Sequence, residues 1–485
     1  MKLALVSAVA LPALVSAHGL RDLHHARQQA DQAAAASGSS SAAAPATSSA
    51  AAGSSVAPGS SAAPGTTAPA AATGATLTFT LASTNPTALP LSDIASGAST
   101  QPTVAASTTY AAGSTPTFLS GAPALPAISS IVVANYPTLD KTPPTDSAEV
   151  QQWKQEVANS GITIPDIDPT VAGGCAANPQ AAADSSRCWW TCGGCTANAD
   201  VVACPDKMTW GLTYDDGPAL YTGDLLSYLD QQDLKATFFV VGSRAISYPA
   251  LLQEEYMAQH QIAVHTWSHP EMTTLTNDQV IAELGWSRKI IKDVLGVTPT
   301  YWRPPYGDVD NRVRAIATAM GLQTSIWTRI SASATFDTGD FNIAGGTTNS
   351  EQVLNNWHSI VNNATQINTG FIVLEHDLFQ QTVDIAMDYI LPDALAHQPP
   401  FKIEPIVSCL GKPLSDAYIE TNDNKSNPIG ASASGSSGSG SAQASGSSNS
   451  TGGSANNGAM GGFAAPSALA GVAFGVIAGA LGLFL

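Results

Sequence analysis

Between Asp206 and Leu410 the apolar positions fall into two alternating rhythms. Short runs rich in β-branched and aromatic residues, at Met208–Tyr214, Ala236–Gly242, Ile262–His265, Thr300–Trp302, Gln323–Thr328, Gly370–Glu375 and Lys402–Val407, predict strands. Between them, apolar residues recur at helical spacing over Gly223–Gln232, Asp278–Leu295 behind Asn277, Arg312–Met320 before Gly321, Glu351–Asn362 behind Ser350, and Val383–Ala396. Strand and helix in alternation predict an α/β fold with a parallel sheet, because parallel neighbours need a crossover connection. Polar residues able to carry chemistry stand at the C-terminal ends of successive strands, and a closed sheet gathers such ends on one face. The expected fold is therefore a distorted, compact (β/α) barrel rather than an open doubly wound sheet.

Upstream and downstream the rhythm stops. Residues 32 to about 130 are mostly Ala, Ser, Thr, Gly and Pro, too poor in apolar surface to offset chain entropy. In an exported chain that composition predicts an O-glycosylated stalk. Lys2, the apolar run Leu3 to Val15 and the small residues Val15-Ser16-Ala17 have the layout of a cleaved secretory signal. At the far end, small residues Ser454 to Ala459 precede an uncharged apolar tail, Ser467 to Leu485, with no basic flank. That layout predicts a glycolipid (GPI) anchor signal with its ω site at Asn456 or Asn457; an ordinary C-terminal membrane helix is the alternative. The predicted organisation is a signal peptide (1–17), a low-complexity stalk (18–139), a Cys-rich pre-domain (140–205), the barrel (206–412), a Ser/Gly-rich spacer (413–456) and a removed anchor signal (457–485). The predicted location is the outer face of the plasma membrane, with transfer to the cell wall as a further fate. Asn363, Asn424 and Asn449 open Asn-x-Ser/Thr glycosylation acceptors.

Charge sharpens the division. The only charged residue between Asp31 and Asp140 is Asp93, and none follows Lys425, so residues 140–425 carry the whole net charge of −18. An acidic body lacks the basic face that nucleic acid demands, which argues against that partner. Cys175, Cys188, Cys192, Cys195, Cys204 and Cys409 form an even set, for which an oxidising compartment predicts three disulfides. Cys204 precedes the first strand and Cys409 follows the last, so these two are expected to pair, and the other four among themselves. The rival is a thiolate zinc site at Cys188-x3-Cys192-x2-Cys195, less suited to that compartment. Trp189 and Trp190 beside them either stack on sugar rings or fill a disulfide-rich core.

Asp215 and Asp216 end the first strand, His265 and His269 follow the third, and Arg303 follows the fourth. Asp337 and Asp340 trail the fifth, and His376 ends the sixth. Each alone has an ordinary structural role, since an Asp-Asp-Gly-Pro run makes a turn and a strand-end histidine packs. In one shared register they predict a site. Histidines four apart project the same way from a single helical turn. With Asp216 they make a donor set for catalytic zinc, although non-haem iron suits the same three residues. Asp215 is placed to take a proton from water and His376 to give one to a leaving group, the division of labour of metal-assisted hydrolysis.

Four segments in order, Thr213-Tyr-Asp-Asp-Gly-Pro218, His265-Thr-Trp-Ser-His269, Arg303-Pro-Pro-Tyr-Gly307 and Leu374-Glu-His376, resemble the motifs of the polysaccharide deacetylases, carbohydrate esterase family four. The resemblance spans about residues 206–410 and, with the stalk and anchor, looks most like the fungal GPI-anchored chitin deacetylases. It implies a distorted (β/α) barrel, zinc as the usual metal with cobalt as a substitute, and a substrate of N-acetylglucosamine units in chitin or chito-oligosaccharides. The implied products are chitosan and acetate, in cell-wall remodelling. The resemblance also implies Asp215 as base, Asp216, His265 and His269 as metal ligands, His376 as acid, and Arg303 as the residue orienting Asp215. By the same resemblance the Tyr306 backbone N–H helps to hold the oxyanion and Leu374 lines the acetyl pocket. One motif departs. The family's Asp-rich turn ends Asp-Trp, whereas Phe336-Asp-Thr-Gly-Asp340-Phe341 ends in Phe, after an extra stretch from Arg329 to Thr335. Phe341 keeps an aromatic wall without an indole N–H, and either Asp340 or Asp337 is left to support His376. The alternatives are a deacetylase of another acetylated polymer, such as peptidoglycan or xylan, and a silent polysaccharide-binding wall protein. A monomer is expected.

Overall fold

A computed structural model describes residues 77–423. The predicted signal peptide, the anchor tail with its ω site at Asn456 or Asn457, and the acceptors Asn424 and Asn449 lie outside the described residues.

Helix α1 (Ala148–Asn159), capped by the Ser147 side chain, precedes the barrel. Strands β1 (Thr209–Gly211) and β2 (Thr213–Asp215) flank Leu212 in one extended stretch. They lead into α2 (Thr222–Gln231), β3 (Thr237–Val240), α3 (Gly242–Ser247), α4 (Pro249–Met257) and β4 (Gln261–Val264). Next come α5 (Asn277–Leu295), β5 (Tyr301–Trp302), α6 (Asn311–Ala319) and β6 (Gln323–Thr324). The extra stretch of the sequence forms an antiparallel hairpin, β7 (Arg329–Ser331) and β8 (Ala334–Thr335). Then follow α7 (Ser350–Gln366), β9 (Phe371–Ile372), α8 (Gln380–Ile385) and β10 (Lys402–Glu404).

Strands β2 to β6 make one parallel sheet in sequence order, and β1 lies between β10 and β9 in another. Beyond β6, the Thr328 N–H donates to the Ile372 carbonyl at 3.0 Å. Farther on, Asp337 pairs with Leu374, and His376 pairs with Asp215. The ladder therefore runs from β2 round to the β9 segment and back, closing an irregular (β/α) barrel. Tyr214, Phe238, Ile262 and Trp302 are fully or almost fully buried on its strands, as expected of a parallel sheet covered on both faces.

Several elements differ from the sequence pattern. The run Gln323–Thr328 yields only β6, and Lys402–Val407 gives β10 followed by a helical turn, Ile406–Cys409. The helix predicted over Val383–Ala396 is α8, a π-turn at Ala386–Ile390 and a last segment, Leu391–Ala396. Caps fall one residue earlier than predicted. Thr276 starts α5 in a reciprocal capping box with Gln279, and Asn349 accepts the Gln352 N–H at the start of α7. Asn363 lies half-buried in the last turn of α7.

The flanks differ more. Residues 77–139, expected as part of an unstructured stalk, run along the outside of the barrel. Ile94, Leu119 and Leu125 are buried, Phe79 stacks on His358 at 4.0 Å, and the Ser107 N–H donates to Glu254 at 2.9 Å. A segment too poor in apolar residues for a core of its own here shares the barrel's core. Residues 413–423, expected as spacer, also pack. Tyr418 is buried and its hydroxyl accepts the Ile262 N–H at 3.0 Å. The pre-domain likewise shares the barrel's core, through Val150, Trp153, Trp190 and Val201. Its cysteines form the disulfides Cys175–Cys192 and Cys188–Cys195, while Cys204 is bonded to Cys409 across the domain ends. No thiolate is left for the rival zinc site. Trp189 and Trp190 are buried, with Trp190 edge-on to Trp327 at 4.7 Å, so they fill core rather than offer open faces to sugar. Among the described residues no helix is long and apolar enough to cross a membrane.

Candidate active site

Backbone ladder bonds continue past the strand ends and fix the residues beyond them. The Asp215 N–H donates to the Glu375 carbonyl (3.0 Å), Asp216 to Phe239 (3.2 Å), His265 to Val240 (2.9 Å) and Arg303 to Val264 (3.0 Å). Asp215, Asp216, His265, His269 and His376 thereby meet at one cavity of about 30 Å³, with Tyr306, Trp327, Phe341 and Leu374 as its walls. That is room for a water or two, or for the carbonyl end of an acetamide.

One donor atom from each of Asp216, His265 and His269 lies within 4.8 Å of the others. The two histidines do not share the helical turn that their spacing predicts. They border a loop in which Thr266 (φ 66°) and His269 (φ 58°) are left-handed, and their ring centroids lie 4.9 Å apart. Asp216 Oδ1 stands 3.4 Å from His265 Nε2 and 3.2 Å from His269 Nε2, and neither carboxylate oxygen accepts a hydrogen bond. His265 Nδ1 donates to the Arg303 carbonyl at 2.8 Å, because a carbonyl can only accept. Nε2 of His265 is thereby turned toward the carboxylate and, whenever the ring is neutral, offers it a lone pair. Lone pairs facing one another in a buried site are satisfied by a cation between them, and a set of one oxygen and two nitrogens fits a first-row divalent metal. Burial alone raises the Asp216 carboxyl, yet the imidazoles of His269, His265 and His376 hold it well below the usual carboxylate range.

Arg303, fully buried, donates from Nη1 to Asp215 Oδ1 at 2.8 Å and to Thr213 Oγ1 at 3.0 Å. Its guanidinium lies over the Phe239 ring at 4.1 Å, which leaves it little freedom to turn. The other Asp215 oxygen stands 3.8 Å from His265 Nε2. Across the cavity, His376 Nδ1 and its backbone N–H donate to the two oxygens of Asp340 at 2.8 and 2.9 Å, and Asp340 also accepts the Phe341 N–H. Asp337 bonds instead to the Gly339 N–H at 2.8 Å, so Asp340 is the carboxylate in contact with His376. Burial opposes a charge on His376. Asp340, Asp216 and Asp215 together outweigh it, and the imidazole is pushed up to about 10. With Nδ1 committed to Asp340, Nε2 is the ring atom left for chemistry. The Phe341 ring centroid lies 5.1 Å from that of His376 and keeps the aromatic wall that the sequence implies.

Two residues of the site escape the sequence reading of roles. Thr213 shares Arg303 with Asp215, and its only signal is its place as the first residue of a motif. Trp327 forms a wall and donates its indole N–H to Thr335 Oγ1 at 3.0 Å. It lies in an apolar strand run ahead of the hairpin insertion, where nothing distinguishes it from core.

The sequence model of the polysaccharide deacetylase family matches residues 203–325, the span that carries Asp215 through Tyr306. Chitin deacetylase 1 of Cryptococcus neoformans var. grubii is 50% identical over 367 residues, 74% of this chain and 77% of that protein. The chain belongs to the polysaccharide deacetylase family. Chitin deacetylase of Amylomyces rouxii is 43% identical over 210 residues, 41% of this chain and 48% of that protein. Among solved structures, the chitin deacetylase of Colletotrichum lindemuthianum is similar at 24% identity with a TM-score of 0.40, covering 47% of this chain and 97% of that one. The family model ends before Asp340 and His376, so the geometry is what joins these two to the site. The match to the Cryptococcus deacetylase is longer than the barrel, so the likeness extends into the flanking segments that pack on it.

Proposed function

We propose that this chain is a chitin deacetylase, hydrolysing the acetamide of N-acetylglucosamine units in chitin to leave glucosamine units and acetate. The observation that carries the reading is the single cavity that joins an Arg-bound carboxylate, an orphaned carboxylate facing two imidazoles, and a third imidazole on its own carboxylate. Likeness to two chitin deacetylases supports chitin over other acetylated polymers.

Asp216, His265 and His269 would hold zinc. When bound there, zinc supplies Lewis acidity, making a water acidic enough to lose a proton near neutral pH and drawing electron density from a carbonyl oxygen. Asp215 takes the proton from the attacking water, held in position by Arg303 through one of its oxygens. The Tyr306 backbone N–H, in a left-handed turn (φ 58°) at the cavity wall, helps to hold the developing oxyanion. Leu374, Trp327 and Phe341 offer the acetyl methyl an apolar wall. As the C–N bond breaks, His376 gives its Nε2 proton to the departing amine, and Asp340 stabilises the imidazolium until then. We further read the chain as secreted, which the three disulfides support, and as held by a glycolipid anchor at Asn456 or Asn457, which rests on the sequence pattern of the tail.

The test is acetate release from chitin oligomers by the purified protein, before and after chelation and with zinc restored. The expected result is loss on chelation and recovery with zinc, and an Asp215→Asn variant that binds zinc but releases at least a hundredfold less acetate. Zinc-loaded protein inert on chitin oligomers would overturn the substrate. Release only from acetylated xylan or peptidoglycan would move the reading to that polymer, and no release from any would leave a polysaccharide-binding protein.

A further inference from the structure

Asp377 follows His376 in the chain, is fully buried, and has no part in the mechanism above. Its Oδ1 accepts the Gly217 N–H at 3.0 Å, and its Oδ2 accepts the Thr222 hydroxyl at 2.6 Å. Thr222 Oγ1 in turn accepts the Ala219 N–H at 2.8 Å, and the Asp377 N–H donates to the Asp215 carbonyl at 3.2 Å. One carboxylate thus closes both ends of the turn that runs from Asp216 to the first residue of α2.

Gly217 explains the other half of the contact. Its φ does not fall among the left-handed glycines, so the turn does not need glycine's conformational freedom there. A Cβ at Gly217, however, would lie 2.0 Å from Asp377 Oδ2 and 2.4 Å from Oδ1. The glycine of the Asp-Asp-Gly-Pro turn is the space into which the carboxylate docks. The neighbouring Asp216 is left-handed at φ 82° and carries a side chain, a conformation that persists only where the surroundings hold it.

We propose that Asp377 is a positioning residue that holds Asp216 in its metal-facing conformation, with Gly217 as its complementary cleft. The proposal rests on the reading of Asp216, His265 and His269 as metal ligands. It links the acid side of the site to the ligand side, because Asp377 directly follows His376 in the chain.

The test measures zinc affinity of the full-length protein by competition with a chromophoric chelator, alongside kcat, KM and thermal unfolding. Asp377→Ala is expected to weaken zinc binding about ten- to a hundredfold, the range for losing an outer-shell partner, and to lower kcat with KM little changed. Gly217→Ala should do the same, because its methyl evicts the carboxylate. On the Asp377→Ala background, Gly217→Ala should then cost almost nothing further, while Asp377→Asn, which keeps an acceptor for the Gly217 N–H, should stay within about threefold of wild type. Should Asp377→Ala fail to fold, Asp377→Ser gives the same comparison. Wild-type zinc affinity in the folded Asp377→Ala or Asp377→Ser protein, even with a lowered Tm, would overturn the proposal, and so would losses that multiply in the double variant. His265→Ala separates the two readings. If it too keeps wild-type zinc affinity, the ligand assignment has failed; if it loses zinc while Asp377→Ala does not, only the role of Asp377 has failed.

Discussion

Replacing Asp340 by Asn removes the negative charge on which His376 rests while keeping the size of the side chain. In the wild type, Asp340 accepts from His376 Nδ1 at 2.8 Å and from the His376 N–H at 2.9 Å, and it is 1% exposed, so water screens neither bond. Burial works to lower the imidazole, and Asp340 is the largest of the effects that raise it to about 10. A hydrogen bond to a charged group contributes roughly 1.5–3 kcal/mol. At about 1.4 kcal/mol per pKa unit, losing the charge lowers His376 by roughly one to two units. The sign follows from the role. A general acid works only while protonated, so activity falls as pH rises through its pKa, and a lower pKa brings that fall to lower pH. The alkaline limb of kcat/KM for acetate release is therefore expected to move acidward by about one to two units in Asp340→Asn. Zinc content should be unchanged. Asp337→Asn is the control and should leave the limb in place, because the Asp337 side chain bonds to the Gly339 N–H of its own turn and not to His376. An unmoved limb in a zinc-loaded Asp340→Asn protein, or a limb moved by Asp337→Asn instead, would refute the assignment of His376 as acid and Asp340 as its support.

Arg303→Met leaves the Asp215 carboxylate buried beside an apolar side chain. A loss of about 3–5 kcal/mol in urea-unfolding stability is expected, with acetate release down at least a hundredfold and zinc retained. Burial, with a small contribution from Lys235, pushes His260 down to about 3, and its Nδ1 accepts the Ala236 N–H, so the folded protein keeps this imidazole neutral. As pH falls below the ordinary value of 6.5 the unfolded chain takes up a proton that the folded one refuses, and stability drops. Between pH 7.5 and pH 5 that loss is about 2 kcal/mol by urea titration, and His260→Asn, whose oxygen can still accept from Ala236, should remove it. Serine at both Cys204 and Cys409 releases a constraint spanning 205 residues, for which the chain-entropy estimate is about 5 kcal/mol, read as a lowered Tm with zinc affinity of the folded protein unchanged.

The strand ends are legible in the sequence because their signal is local: an apolar run stops and a polar residue begins. Asp215, Asp216, His265, Arg303 and His376 are each found that way. The helices α3 and α4 are not, and the reason is physical. On α4, Leu251, Leu252, Gln253, Glu254, Glu255 and Tyr256 are all buried, so no polar face marks a period. The face that would have met water is covered by the N-terminal segment, with Ser107 on Glu254 and the Phe118 ring 5.8 Å from that of Tyr256. That segment in turn looks like a stalk because its few apolar residues follow no rhythm; they match positions on the barrel, not one another. Each misreading is the other's cause. Asp340 could not be chosen over Asp337 from sequence either, because the two differ by three positions in a turn whose path the hairpin insertion obscures.

The three left-handed residues at the cavity have a common support. Asp216, His269 and Tyr306 each carry a side chain at positive φ, and each lies in a loop tied down by a buried carboxylate that does not face the cavity. Asp377 holds the turn after Asp216 through Gly217 and Thr222. Glu283, from α5, accepts the Trp267 and Ser268 N–H groups and the Ser268 hydroxyl, and so holds the loop that ends at His269. Asp308, two residues beyond Tyr306, accepts from the Trp189 indole, the Thr191 hydroxyl, and the Thr273 N–H and hydroxyl. All three acids are satisfied by neutral donors rather than by a countercharge, so each fixes geometry by direction as well as by attraction. Two of the donors to Asp308 come from the Cys-rich segment, where Cys188–Cys195 brackets Trp189 and Thr191. The pre-domain therefore contributes to the site from outside the cavity, by holding the loop that presents Tyr306 and by packing Trp190 against the wall residue Trp327. Strain at a catalytic centre requires surroundings that over-determine it, and here those surroundings include a segment outside the barrel.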